Sequence, residues 1–359
     1  MSISKETIRS AAKLYDTLED EESKLIFRNK LLYSITNENK YWHDILRYYN
    51  QEQIDKISEI ARQSREVIVY GAGTNCVPVL EICEEEGCHI SFICDKDFKK
   101  RKGTINDIKI ISPEELINYH KDAFVIISTL NYLEEVKIFL NKYFPQSSII
   151  PCAGKELLEL IDAQYFAKDI MQLSDEEVFV DGGCFDFETS RFLMQRCNVN
   201  HISQICERKI SKPEEELRVG QKVNAKIMKL GCADKVTVFE KGLWNKSENL
   251  YFSATGDIMS HVTECGNEAD KIEVVALDEV IHEKVTFIKM DIEGSEIKAL
   301  EGAQNLIRNY KPKLAICIYH KPEDTIDIPA YIKSLVPEYR LWIRHYSWSP
   351  AETVLYAKI

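Results

Sequence analysis

The first 64 residues contain neither glycine nor proline. That absence removes tight turns and chain breaks from the segment. Ile8, Ala11, Ala12, Tyr15 and Leu18, then Leu25, Ile26, Leu31, Leu32 and Ile35, recur at three- and four-residue spacing, which predicts helices. No run approaches 18 apolar residues, so no transmembrane helix is expected. The polar stretch Met1–Thr7 lacks the apolar core of a signal peptide. The 11 cysteines include no C-x-x-C pair, which removes the usual zinc-ligand spacing. Cys94, Cys206 and Cys317 sit in apolar segments, as small buried hydrophobes do. An odd number of thiols without a secretion signal points to a reducing cytoplasm. Concentrated positive charge is also missing. There are 46 basic and 58 acidic side chains, a net charge of −12, and the densest basic run, Lys99–Lys102, is four residues long. A phosphate backbone repels such a chain, so neither nucleic acid nor a membrane is an expected partner.

A length of 359 residues fits two or three domains. At Val67-Ile68-Val69-Tyr70 the pattern changes from helical to β-branched. Strand-like runs at Ile90–Asp95, Phe124–Ser128 and Ser148–Pro151 then alternate with helical stretches. After a helical connector over about 153–173, a second alternation follows. Its strands are expected at Val178–Asp181, Ile202–Glu207, Val236–Glu240, Val285–Asp291 and Leu314–Tyr319, closed by Arg340–His345 and Thr353–Ala357 as an antiparallel hairpin. Asn249–Ser253 and Ile272–Leu277 form an insertion that could add strands. Alternation of this kind implies parallel sheets covered by helices. The expected fold is therefore α/β: a helical segment (1–64), a Rossmann-like unit (65–152) and a second doubly wound unit (153–359). The second unit's five parallel strands and closing hairpin match the layout of a nucleoside-binding methyltransferase sheet.

Two glycine turns differ in chemistry. The first, Gly71-x-Gly73-x-x-Cys76 with Asp95 ending the next strand, approaches a dinucleotide fingerprint but has cysteine where the third glycine belongs. It reads equally well as a nucleotide site and as an inert turn. The second, Asp181-Gly182-Gly183-Cys184-Phe185-Asp186-Phe187-Glu188-Thr189, follows a strand-ending acid with glycines and places Phe187 at the third position. That order suits S-adenosyl-L-methionine, whose ammonium group Asp181 could meet while Gly182 and Gly183 let the backbone approach. Glu207, at the end of the next strand, could accept from both ribose hydroxyls. Asp186, Thr189 and Asp291 complete the expected cofactor-facing set.

Two further strand ends carry ionisable groups. Asp291, Glu293 and Glu296 lie within six residues of one another, and acids at an interior strand end are costly to desolvate unless used. His320 ends the neighbouring strand. Ligands of open α/β sheets bind at these carboxyl ends, so Asp291, Glu293 and His320 are expected to converge.

The strings DGGCFDFETSRFL, KGLWNKSENLYF, VVALDEV, FIKMDIEGSEIKALEGA, KPKLAICIYHKPEDTIDIPAYI and LWIRHYS…ETVLYA resemble the FkbM family of S-adenosylmethionine-dependent methyltransferases over about Val178–Ile359. The resemblance implies O-methylation of a hydroxyl on a sugar, glycan or natural-product acceptor, with a nucleotide-linked sugar among the candidates. It also implies cofactor contacts at Gly183 and Glu207. Cys206-Glu207-Arg208 departs from the family by lacking a proline after the acid. The segment 1–152 resembles an extension found on some bacterial relatives.

An alcohol needs a base to lose its proton. The expected base is His320, oriented by Asp291 or Glu293; the rival arrangement has these three residues coordinating a divalent metal, which their chemistry permits but does not demand. Trp244, Tyr251, Phe252, Trp342, Tyr346, Trp348 and His261 are candidates for stacking on or reaching the acceptor. Two other function classes compete. One is an NAD-dependent nucleotide-sugar oxidoreductase or epimerase, disfavoured because no Tyr-x-x-x-Lys pair follows the Gly71 turn at the usual spacing. The other is a non-catalytic nucleotide-binding protein. A homo-oligomer is compatible with the sequence.

Overall fold

The computed structural model describes residues 5–99, 103–153, 163–183, 187–205, 233–253, 261–263 and 271–359. The chain divides into two compact units. The first comprises 1–35, 163–345 and 352–359; the second comprises 36–162 and 346–351. The glycine-free start is helical as expected, forming α1 (Lys5–Thr17), α2 (Glu21–Thr36) and α3 (Asn39–Ala61). These helices are shared out: α1 and nearly all of α2 belong to the first unit, and α3 to the second.

In the second unit, β1 (Val67–Tyr70), β2 (Phe92–Cys94), β4 (Ile108–Ile111), β5 (Phe124–Ile127) and β6 (Ile149–Pro151) form a parallel sheet in the order β4-β2-β1-β5-β6. Strand β3 (Thr104–Ile105) pairs antiparallel with β4 at the edge. This hairpin was not expected from the sequence. Its two-residue turn, Asn106-Asp107, has φ of +48° and +63°, the left-handed conformation that two-residue hairpins favour. Strands β1 and β5 are buried along their whole length, as strands covered on both faces must be.

The first unit carries a seven-stranded sheet built from β7 (Glu177–Gly182), β8 (Val199–Ile205), β9 (Val236–Phe239), β14 (Phe287–Met290), β15 (Lys313–Cys317), β16 (Arg340–His345) and β17 (Thr353–Lys358). Its order is β9-β8-β7-β14-β15-β17-β16, with five parallel strands and β17 antiparallel between β15 and β16. The strand order reverses direction at β7, between β8 and β14, which makes the end of β7 the topological switch point of the sheet. Phe166, Phe179 and Phe287 pack edge-on or tilted, with centroids 5.3–5.8 Å apart, and they are almost fully buried. The insertion forms its own four-stranded sheet in the order β10 (Gly242–Leu243), β13 (Lys271–Val275), β11 (Glu248–Ser253), β12 (His261–Thr263).

Strand β16 is the sheet's edge, and unpaired edges invite association. Here the α1–α2 corner covers it. Leu18 forms a parallel bridge with Leu341, the Glu19 N–H donates to the Leu341 carbonyl at 3.1 Å, and the Ile343 N–H donates to Ser23 Oγ at 2.8 Å. The buried Arg344 guanidinium meets Asp20 at 2.7 Å, Asp169 at 2.9 Å and Glu22 at 3.3 Å. Removing it leaves three carboxylates facing one another in a half-buried site. Arg344→Ala is therefore expected to destabilise the protein by about 3 kcal/mol, read as a lowered urea midpoint, with Arg344→Lys losing less.

Candidate active site

Asp181 and Lys289 face each other in register on β7 and β14. Both are buried, at 1% and 3% side-chain exposure, and their charged atoms lie 3.1 Å apart. Gln204 on β8 is the register partner on the other side of Asp181. Its amide donates to Asp181 Oδ2 at 3.1 Å, beside the Ser190 hydroxyl at 3.0 Å. The Lys289 ammonium also donates to the carbonyls of Gly182 (3.0 Å) and Gly183 (3.3 Å). Burial alone would lower the pKa of this lysine, but Asp181 and then Asp291 outweigh that and raise it. The glycine turn thus rests on an internal cation. Gly183 has φ +77°, and a Cβ there would sit 1.7 Å from the Asp291 carbonyl oxygen. Its glycine is demanded by the passing backbone of the next loop. Phe187, also at positive φ (+70°) and buried, precedes the helix Glu188–Met194 and accepts from the Arg191 N–H at 2.9 Å.

Beyond β14 the chain makes a tight loop in which Glu293 and Gly294 have φ of +55° and +90°. Asp291 is held by two tyrosines: Tyr165 donates to Oδ2 at 2.8 Å and Tyr319 to Oδ1 at 3.1 Å. Burial would raise its pKa, yet Lys289, His320 and the two hydroxyls hold it below the ordinary carboxylate value. His320, directly after Tyr319 beyond β15, places Nε2 3.5 Å from Asp291 and 3.7 Å from Glu293, with Nδ1 2.9 Å from Glu296. Burial would lower the imidazole's pKa, but the Glu296, Asp291 and Glu293 carboxylates push it up to about 9. Lys321 ties the two loops together by donating to the Gly294 carbonyl. Glu352, entering β17 at φ +64°, accepts from Gln164 at 2.6 Å; burial and the charge of Asp291 raise its pKa.

Asp291, Glu293 and His320 therefore converge as expected. Asp181 lies beneath the glycine turn and is occupied by Lys289, Ser190 and Gln204, so it serves the turn itself. Thr189 sits in the first turn of the helix Glu188–Met194. Asp186 and Glu207 lie outside the described residues, as do the side chains of Phe252 and His261. Trp342, Tyr346 and Trp348 are core residues, Trp348 donating to the Cys152 carbonyl at 3.0 Å, and Trp244 packs on Leu250, Ile272 and Val274. The sequence reading passed over Lys289, Glu352, Tyr165 and Tyr319. Of these, Lys289 left a signal, a lone lysine within the apolar run Phe287–Met290.

Asp291, Glu296 and His320 each offer a donor atom within 4.8 Å of the others. Glu296 faces Nδ1 of His320, whereas Asp291 and Glu293 both face Nε2, so an ion bound through Nε2 would draw its carboxylates from the Asp291 and Glu293 side. In the second unit, Asp95 accepts from the N–H groups of Ala72 (2.8 Å) and Asp97 (2.7 Å), and Gly71 (φ +114°) packs against Ser128. Asp95 thereby closes its own glycine turn.

Residues 177–347 match the family model of the methyltransferase FkbM domain. The match identifies an FkbM methyltransferase domain in this part of the chain. Residues 63–149 match the model described as C2185-like, N-terminal. Among solved structures, the chain is similar to a methyltransferase FkbM from Methylobacillus flagellatus KT, at 20% identity over 84% of this chain and 93% of that one, TM-score 0.49. It is also similar to a putative rRNA-methylase from Clostridium thermocellum, at 13% identity over 55% and 93%, TM-score 0.34. No curated protein matches significantly. No helix among the described residues is long and apolar enough to cross a membrane.

The FkbM domain's dependence on its buried pair is testable. Lys289→Met leaves Asp181 charged and unpaired and is expected to cost about 3–5 kcal/mol of stability. The double variant Asp181→Asn/Lys289→Met, which removes both charges, should recover most of that loss in urea unfolding followed by tryptophan fluorescence.

Proposed function

We propose that the first unit transfers a methyl group from S-adenosyl-L-methionine to a hydroxyl of a sugar, glycan or natural-product acceptor, with His320 as the base. The observation that carries this reading is the carboxylate–imidazole cluster of Asp291, Glu293, Glu296 and His320 beside the glycine turn at the switch point. Its electrostatics favour a cationic donor. Lys289, the cation beneath the turn, is already paired with Asp181 and two carbonyls, so it is not available to a pyrophosphate. S-adenosyl-L-methionine supplies an electrophilic methyl on a positively charged sulfonium, which an acid-rich edge attracts. Gly182 and Gly183, and by its position Glu207, are the residues that would hold it.

Most of the catalysis of an in-line displacement is positioning. The acceptor's hydroxyl proton passes to His320 Nε2, and Asp291 and Glu293, which face that nitrogen, stabilise the imidazolium. We place the reaction on a small-molecule or glycan acceptor, a nucleotide-linked sugar among the candidates, because the same carboxylates disfavour anionic polymers.

Two experiments test the reading. Isothermal titration calorimetry should give micromolar binding of S-adenosylmethionine and S-adenosylhomocysteine to the purified chain, lost in Gly183→Ala; binding of NAD alone would reject it. The second is a pH profile. With the imidazole pKa near 9, about one molecule in a hundred holds a free base at pH 7. The rate kcat/KM should climb about tenfold per pH unit and level off above about pH 9. His320→Ala should abolish the climb and leave cofactor binding intact. Stability moves the other way. A pKa raised from 6.5 to about 9 contributes stability that is complete below pH 6.5 and lost as pH rises through 9.

A further inference from the structure

Glu296 is an acid that methyl transfer does not by itself require. It opens the helix Glu296–Glu301 and is fully buried. Oε1 accepts the Ile292 N–H at 2.9 Å and lies 2.9 Å from His320 Nδ1, while Oε2 and both ring nitrogens have no hydrogen-bond partner among the described residues. A buried carboxylate with one oxygen unsatisfied destabilises a fold. It is placed on one edge of the imidazole, whereas Asp291 and Glu293 occupy the other. The two edges of the ring are therefore unequal: one is closed by a buried carboxylate, and the other opens towards partly exposed ones.

We propose that Glu296 is a positioning residue for His320: it accepts the Nδ1–H, fixes the tautomer in which Nε2 is the basic nitrogen, and holds the negative charge that stabilises the imidazolium. This inference rests on the O-methylation reading above. In the reaction the acceptor's O–H bond breaks and an N–H bond forms at Nε2. The oxygen's electron pair forms the new bond to the methyl carbon, and the carbon–sulfur pair stays on sulfur. Charge is conserved: the positive charge lost by the sulfonium appears on the imidazole, between Glu296 on one edge and Asp291 and Glu293 on the other.

Other charged groups around the ring are already committed. Lys289 pairs with Asp181, and Lys321 binds the Gly294 carbonyl. Asp324 accepts the Lys321 N–H at 2.9 Å; burial and the charge on Glu296 push its carboxyl up to about 7. Glu352 is raised by burial and by Asp291.

The experiment is a nuclear magnetic resonance titration of the His320 ring in the full chain, its signals assigned by their loss in His320→Gln. The wild-type ring should titrate near pH 9. In Glu296→Gln the midpoint should fall by about one pH unit or more, the Nδ1–H tautomer should lose population, and the inflection of kcat/KM should move with it. S-adenosylhomocysteine affinity should stay unchanged. Glu296→Asp, which keeps the charge but shortens the reach, should give an intermediate midpoint, and it serves as the readout if the glutamine variant does not fold. An unmoved midpoint and tautomer in a folded variant would overturn the proposal. Absence of methyl transfer by the wild-type protein, with the midpoint still shifted in the variant, would instead overturn the reading of function.

Discussion

A lysine and an aspartate directly opposite each other on adjacent parallel strands, both almost fully buried, hold the site in place. Two charges removed from water need each other and further hydrogen bonds to be tolerated. Lys289 finds them in the carbonyls of Gly182 and Gly183, and Asp181 in Ser190 and Gln204. The pair thereby ties β14, β7, β8 and the following helix into one unit at the point where the sheet changes direction. Everything chemically useful stands next to it. The Asp291 carbonyl passes so close to Gly183 that no other side chain fits, and Asp291 itself senses the lysine's charge.

That pairing also bears on the donor proposed for this edge. A turn whose cation were free would attract phosphate; here the cation lies inward, and the outward groups are carboxylates and an imidazole. The same distinction separates the two glycine turns of the chain. At Gly71 the strand-ending acid, Asp95, folds back onto the N–H groups of Ala72 and Asp97. At Asp181 the acid turns down to a lysine. In each case a residue that reads in sequence as a ligand contact serves first to build the turn.

Much of the fold was legible because it rests on local pattern. Alternating β-branched runs and helices gave both sheets, and the closely spaced last two strands gave the hairpin. The β3–β4 edge escaped because its signal is two left-handed residues, Asn106 and Asp107, rather than a hydrophobic run. Of the site, Asp291, Glu293 and His320 were legible because strand ends of one sheet share one edge. The partners of those residues were not. Tyr165 reaches Asp291 across 126 positions and Gln164 reaches Glu352 across 188, and no spacing rule encodes contacts made through the fold. The buried roles of Trp342 and Trp348 were equally hidden, since an aromatic at a binding rim and one in a core look alike in sequence.

The carboxylates around His320 act on it in two ways that must be weighed together. They hold the free imidazole protonated at neutral pH, which lowers the fraction of sites ready to react. In the proposed reaction they would also stabilise the imidazolium formed as the acceptor's proton moves. Only interactions stronger in the transition state than in the starting state speed a reaction. A carboxylate that stabilised a resting imidazolium equally would add nothing above the pH where the ring is already neutral. The site gains from Glu296, Asp291 and Glu293 to the extent that protonation occurs during transfer rather than before it, and that condition is met on the alkaline side of about pH 9. On the proposed mechanism, arranging three acids about one base trades activity at neutral pH for a base strong enough to act on an alcohol.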